Sequence, residues 1–141
     1  MNVIRYLLVW IMSFAFTSII DAIWHLVIFK KAYIEGLKPL ARMSGDKIVL
    51  NPLAGVLAQV LVVTCIVFLV LFKAGKGHFL EAALIGIAAG VLAISVYGVT
   101  NYALFKDWSL KLAVLEFIWG PFLGGLSAIF VIWAKSLVIK T

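Results

Sequence analysis

A four-helix transmembrane bundle is the fold this sequence predicts, on three grounds. Hydrophobic residues make up 65% of the 141 positions and charged residues only 13%, against about 45–50% and about 25% in a soluble domain. Mean hydropathy is +1.19. The apolar residues are also gathered into four unbroken runs, at about 6–29, 52–72, 79–105 and 112–134, each near the ~20 residues a helix needs to cross ~30 Å of hydrocarbon. Only helices and closed barrels satisfy their backbone in lipid, and unbroken runs lack the alternation of a barrel strand. The length fits a single transmembrane domain, 1–141.

The first run, Tyr6 to Phe29, exceeds the ~7–15 apolar residues of a signal-peptide core and lacks a small-x-small cleavage site, so it reads as a span. The segment 30–51 follows. In it Tyr33, Ile34, Leu37, Leu40 and Ala41 keep helical spacing among Lys30, Lys31, Lys38 and Arg42, which predicts a short amphipathic helix lying at the membrane interface. Pro39 ends or kinks that helix. Ser44-Gly45-Asp46 is a turn, and Asn51-Pro52 opens the second span as cap and first helical residue. The links 73–78 and 106–111 are short enough to force antiparallel neighbours. Gly86-x-x-x-Gly90 and Gly120-x-x-x-Gly124 offer small surfaces on which the third and fourth spans pack. Pro121 removes a backbone hydrogen bond inside the fourth span and is expected to kink it.

An even number of spans puts both termini on one side. The face holding the 30–51 and 106–111 loops, here face A, carries Lys30, Lys31, Lys38, Arg42, Lys47, Lys106 and Lys111; the other carries Arg5, Lys73, Lys76, Lys135 and Lys140. The positive-inside rule then favours a cytoplasmic face A, in the bacterial cytoplasmic (inner) membrane. Trp10, Trp108 and Trp133 near the span ends suit an aromatic belt. The net charge of +6 forms no basic stripe on a soluble face, so nucleic acid is not an expected partner. Membrane lipid is one, and a homo-oligomer is another. Cys65 is the single cysteine and reads as an inert packing thiol.

Ionisable groups within a span are costly and are functional hypotheses by default. Three are singled out: Asp21, His25 and Glu116. At ~1.5 Å per residue, His25, Asn101 and Glu116, each five residues from a face A lysine, lie about 7–8 Å below that face. Asp21, Tyr97, Trp119 and Gln59 form a second layer about 12–14 Å down. Ser13, Thr17, Asp21 and His25 recur every four residues and so share a helix face. The candidate site is thus Asp21, His25, Tyr97, Asn101 and Glu116, walled by Trp24 and Trp119; Ser13, Thr17 and Gln59 read more simply as helix–helix contacts. No lysine or arginine lies beside the carboxylates, which leaves four ways to balance them. These are a held proton, a protonated His25, a bound metal or organic cation, or a lysine (Lys30 or Lys111) leaning in from face A. No cofactor is evident, and no metal-ligand spacing such as His-x-x-x-His occurs.

Asp21-Ala-Ile-Trp24, Gly86-x-x-x-Gly90, Tyr97-x-x-Thr100-Asn101-x-Ala103, Asp107-Trp108 and Glu116-x-x-Trp119-Gly120 stand in that order. Together they resemble a bacterial membrane family known as domain of unknown function 2177, and the resemblance covers nearly the whole chain. It implies four spans and the position of the polar site, and it implies no activity. Two positions depart from the family's usual pattern: Gly98 stands where an aspartate usually follows the tyrosine, and Glu116 replaces an aspartate. The site is therefore expected to work with two carboxylates. Three functions follow from these residues. The first is binding or translocation of a proton, cation or small ligand, as at midplane transporter sites. The second is an enzyme acting on a lipid or isoprenoid, with Glu116 or His25 as acid or base. The third is a structural or accessory subunit.

Overall fold

The structure, a computed structural model, describes residues 3–74 and 78–139. It contains four helices long and apolar enough to cross a membrane: Val3–Ile28, Pro52–Lys73, Phe79–Leu104 and Leu110–Val138. These are called the first to fourth spans. The fold is an all-α membrane protein. Lys76, Lys140 and part of the 73–78 link, used above in assigning the faces, lie outside the described residues.

The fourth span is the centre of the bundle. It packs on each of the other three, and 56% of its apolar window is buried, against 17% for the first span. Its sequence explains this position. Gly120 and Gly124 lie against Gly90 and Gly86, so closely that a methyl group on Gly86, Gly90 or Gly124 would run into the opposing backbone. Ala128, Val131 and Ile132 lie further along the span and are buried with Val9 of the first span and Val63, Ile66 and Val70 of the second. With lipid as apolar as leucine, such close approach supplies the packing that holds helices together.

Pro121 lies inside a helix that continues to Val138. Proline frees the carbonyl four residues earlier, here that of Phe117. Ser95 Oγ of the third span donates to this oxygen at 3.0 Å. An unmet carbonyl in hydrocarbon is thus paired by a neighbouring hydroxyl. Ser95 ends a π-helical turn, Val91–Ser95, set beside the Gly90–Gly120 contact.

At face A the first span finishes in a second π turn, Trp24–Ile28, in which Phe29 N donates to Trp24 O. A short helix, Lys30–Leu37, follows. It ends at Leu37, although Lys38, next to Pro39, still takes helical angles and its N–H donates to Ile34 O at 3.0 Å. Its Ala32 and Tyr33 are buried with Trp108, Leu112, Ala113 and Leu115, and a methyl group on Gly36 would meet Leu112 Cγ at 2.6 Å. The apolar face of this helix is therefore seated on the start of the fourth span. The turn read at Ser44-Gly45-Asp46 closes a two-stranded ladder, Met43–Ser44 with Lys47–Ile48, and Gly45 takes φ +59°, a conformation that favours glycine. Asn51 caps the second span by accepting from Ala54 N at 3.2 Å. Ser109 does the same for the fourth, accepting from Leu112 N at 3.2 Å. Trp108, expected in the aromatic belt, is buried instead.

Candidate functional site

Helical spacing on the first span sets out a column of polar residues whose lower and upper members behave differently. Ser13 and Thr17 are buried; Ser13 Oγ donates to Val9 O at 2.8 Å and Thr17 Oγ1 to Ser127 Oγ at 2.9 Å. These hydroxyls join helices or back-bond to their own. One turn higher the column reaches Asp21 and His25, whose side chains keep 30% and 29% of their exposure. There the bundle opens.

Asp21 Oδ1 accepts from Trp119 Nε1 at 2.8 Å and lies 3.3 Å from His25 Nδ1. The same nitrogen is 2.9 Å from the Asp21 carbonyl oxygen. The other ring nitrogen, His25 Nε2, faces Glu116 Oε1 at 3.8 Å. That oxygen in turn accepts from Tyr33 OH at 2.8 Å, and Tyr33 OH accepts from Trp24 Nε1 at 3.1 Å. Trp24 and Trp119 stack, with ring centres 4.3 Å apart and planes 12° apart. The result is a row, carboxylate–imidazole–carboxylate, with an aromatic N–H or O–H aimed at each carboxylate. Tyr33, outside the spans, is held above the usual phenol range, first by burial and then by the Glu116 carboxylate, so it remains a donor to that carboxylate.

Of the residues singled out in the sequence, the structure brings together Asp21, Trp24, His25, Glu116 and Trp119. Tyr97 and Asn101 stand apart. Tyr97 is 55% exposed and sets its ring edge-on to Trp108, centres 5.8 Å apart. The reason is its neighbour. Gly98 is the residue turned toward the fourth span, where a methyl group would meet Glu116 Cβ at 2.5 Å, and adjacent residues point about 100° apart round a helix. The side chain of Asn101 is half-buried and makes no hydrogen bond among the described residues. Neither Lys30 nor Lys111 pairs with a site carboxylate among the described residues; His25 occupies the space between the two acids.

Tyr33 was not among the sequence candidates. Its helical spacing with Ile34 and Leu37 marks an apolar face, and nothing local says that this face folds onto the fourth span. Gln59 and Ser18 are the other additions. Both line a groove of about 770 Å³ whose wall also holds Asp21, His25 and Tyr33. Ser18 Oγ and Gln59 Nε2 are buried without a hydrogen-bond partner. The groove runs between the first span, the short helix, the 47–50 strand and loop, and the start of the second span, with Lys30 and Lys47 also lining it. Glu116 and Trp119 lie behind the groove wall and brace Asp21, His25 and Tyr33, which face into the groove. Among the described residues no three histidine, cysteine, aspartate or glutamate side chains converge as metal ligands would. The imidazole has one nitrogen turned to each carboxylate, and so sits where a shared ion would.

Nothing similar to the chain was found among curated proteins or among solved structures. A family model described as "Predicted membrane protein (DUF2177)" matches residues 6–133. With nearly the whole chain covered and four apolar helices in place, this is a multi-pass membrane protein belonging to the DUF2177 family.

Proposed function

We propose that the protein binds a small ligand in the face A groove, with the ligand's polar group against Asp21, His25 and Tyr33. The observation that carries this reading is that the groove ends on a braced acid–base row while two buried polar atoms beside it, on Ser18 and Gln59, lack partners. A buried polar atom left unmet costs about 1–3 kcal/mol. Pockets of this kind, mostly apolar with a few convergent polar groups, are where small molecules bind. Binding is favoured over translocation because Val9, Val63, Val70, Ala128 and Val131, on the far side of the site, are 0–1% exposed, so the bundle is close-packed there among the described residues. We take the site to work in the bacterial cytoplasmic membrane.

Gly55 supplies the test. A methyl group there meets nothing within 4 Å, so Gly55→Phe fills the groove without disturbing the fold. Native mass spectrometry of the protein purified in mild detergent should show a retained small molecule in the wild type and its loss in Gly55→Phe and in Asp21→Asn. A wild type that carries nothing, or a Gly55→Phe protein that carries as much, defeats the reading. One observation favours a second reading, an enzyme acting on a lipid or isoprenoid. His25 faces both the groove and Glu116, the place of a general acid or base relayed to a carboxylate. Cells with His25→Asn in place of the wild type would then accumulate a lipid substrate, and an unchanged lipid profile counts against it.

A further inference from the structure

The two oxygens of Asp21 are not alike. Oδ1 accepts from Trp119 Nε1 at 2.8 Å and lies 3.3 Å from His25 Nδ1. Oδ2 has no hydrogen bond or ion pair among the described residues. It is not a buried unpartnered atom, as Ser18 Oγ and Gln59 Nε2 are; the side chain keeps 30% of its exposure and lines the groove. The other members of the row that line the groove are already engaged. Both nitrogens of His25 face protein oxygens. The Tyr33 hydroxyl donates to Glu116 and accepts from Trp24. What the row offers to the groove is therefore a carboxylate oxygen, an acceptor only, and the group that meets it is a donor.

Charge selects among donors. The row holds two carboxylates and one imidazole, so an imidazolium answers one acid and leaves the other without a cation. Lys30 and Lys111 pair with neither among the described residues. Lys30 and Lys47 do line the groove, but both are exposed and screened by water, whereas Asp21 lies about 12–14 Å below face A by helical rise. A metal ion takes several oxygen or nitrogen ligands at once, and among the described residues no three such side chains converge. A protonated amine needs one carboxylate oxygen, and a charge-assisted bond of this kind is roughly twice as strong as a neutral one. The rest of the groove wall is largely apolar, with Phe14, Leu26, Ile34, Leu37 and Val56, which suits a hydrocarbon body. We propose that the ligand is a lipophilic amine, its protonated nitrogen donating to Asp21 Oδ2 and its chain lying along the apolar wall. This rests on the ligand-binding reading above and names the ligand class.

The test uses three amphiphiles of one chain length, dodecylamine, dodecanol and dodecanoate, added to the protein in phosphatidylcholine nanodiscs, with binding read by native mass spectrometry. Each affinity is taken relative to Asp21→Asn, which keeps an acceptor oxygen, removes the charge and cancels partitioning into the bilayer. The wild type should bind dodecylamine roughly tenfold more tightly than Asp21→Asn does, while dodecanol should change by less than about twofold. Gly55→Phe supplies a second reference that leaves Asp21 in place, and it should exclude both. Nanodiscs of phosphatidylethanolamine distinguish a free amine from a headgroup amine. Dodecylamine binding should be unchanged in them, because a headgroup stays at the interface; its loss there overturns the free-amine assignment. If dodecanol or dodecanoate binds as tightly as the amine and Gly55→Phe excludes all three, the amine assignment falls and the ligand-binding reading stands. If Gly55→Phe excludes none of them, both fall.

Discussion

Thr17 and Ser18 are neighbours on one helix with nearly the same chemistry, and they belong to different halves of the molecule. Thr17 turns into the close-packed half and donates a hydrogen bond to Ser127 Oγ at 2.9 Å. Ser18 turns toward the groove and has no partner. The same contrast runs across the bundle. In the closed half glycine faces glycine, valines and alanines fill the layer, and the buried hydroxyls Ser13 and Thr17 are both paired, to their own helix or to a neighbour. In the open half two carboxylates, an imidazole and a phenol are tied to one another, yet Gln59 and Ser18 beside them are left unmet. Paired polar groups are what assembly requires. Unpaired ones, buried next to a cavity, cost stability. The comparison separates residues of one type by what they meet.

That contrast can be broken experimentally. The largest effect is expected in the closed half. Gly90→Leu forces a side chain into the Gly120 backbone. It should cost about 3 kcal/mol or more, read as loss of folded monomer in detergent or a much lower Tm. Next comes the brace behind the site. Glu116→Leu removes the acceptor of the Tyr33 hydroxyl, and leaves that buried donor and the Trp24–Tyr33 pair unsupported. A loss of about 1–3 kcal/mol is expected, with Tyr33→Phe in the same background restoring part of it; no restoration would mean that the hydroxyl pairing is not the cause. A smaller loss, about 0.6 kcal/mol, is expected for Thr17→Val. Ser18→Ala is the smallest and has the opposite sign. With no hydrogen bond to lose, the ligand-free protein should melt at the same temperature or slightly higher. If Thr17→Val and Ser18→Ala lower Tm equally, the two halves do not differ in the way described.

Gly98 ties the site to the packing. The family resemblance implies an acid at this position, where this chain has glycine. The structure adds that a methyl group there would meet Glu116 Cβ at 2.5 Å, so the long arm of Glu116 and the absence of a side chain at 98 occupy one space. Gly98→Ala should therefore displace Glu116 from His25 and Tyr33 and cost about 1–3 kcal/mol. The Tm of Gly98→Ala, alone and combined with Glu116→Ala, would report it, and additive losses would show that the two positions are independent.

Sequence by itself determined the number of spans, the cap at Asn51 and the turn at Gly45, the glycine seam between third and fourth spans, and the matching levels of His25 with Glu116 and of Asp21 with Trp119. These follow from short-range rules: run length against bilayer thickness, 1.5 Å of rise per residue, and the chemistry of caps and turns. Only the tertiary structure decided which way each residue faces once the helices meet. Two π turns, Trp24–Ile28 and Val91–Ser95, shift the helical phase that depth counting assumes to be constant. Gly98 rather than Tyr97 is turned to the fourth span, and the short helix folds back to deliver Tyr33 from nine residues beyond Trp24. Depth is a property of one helix. Pairing depends on the rotation and approach of four helices, and that is set by packing across the whole bundle.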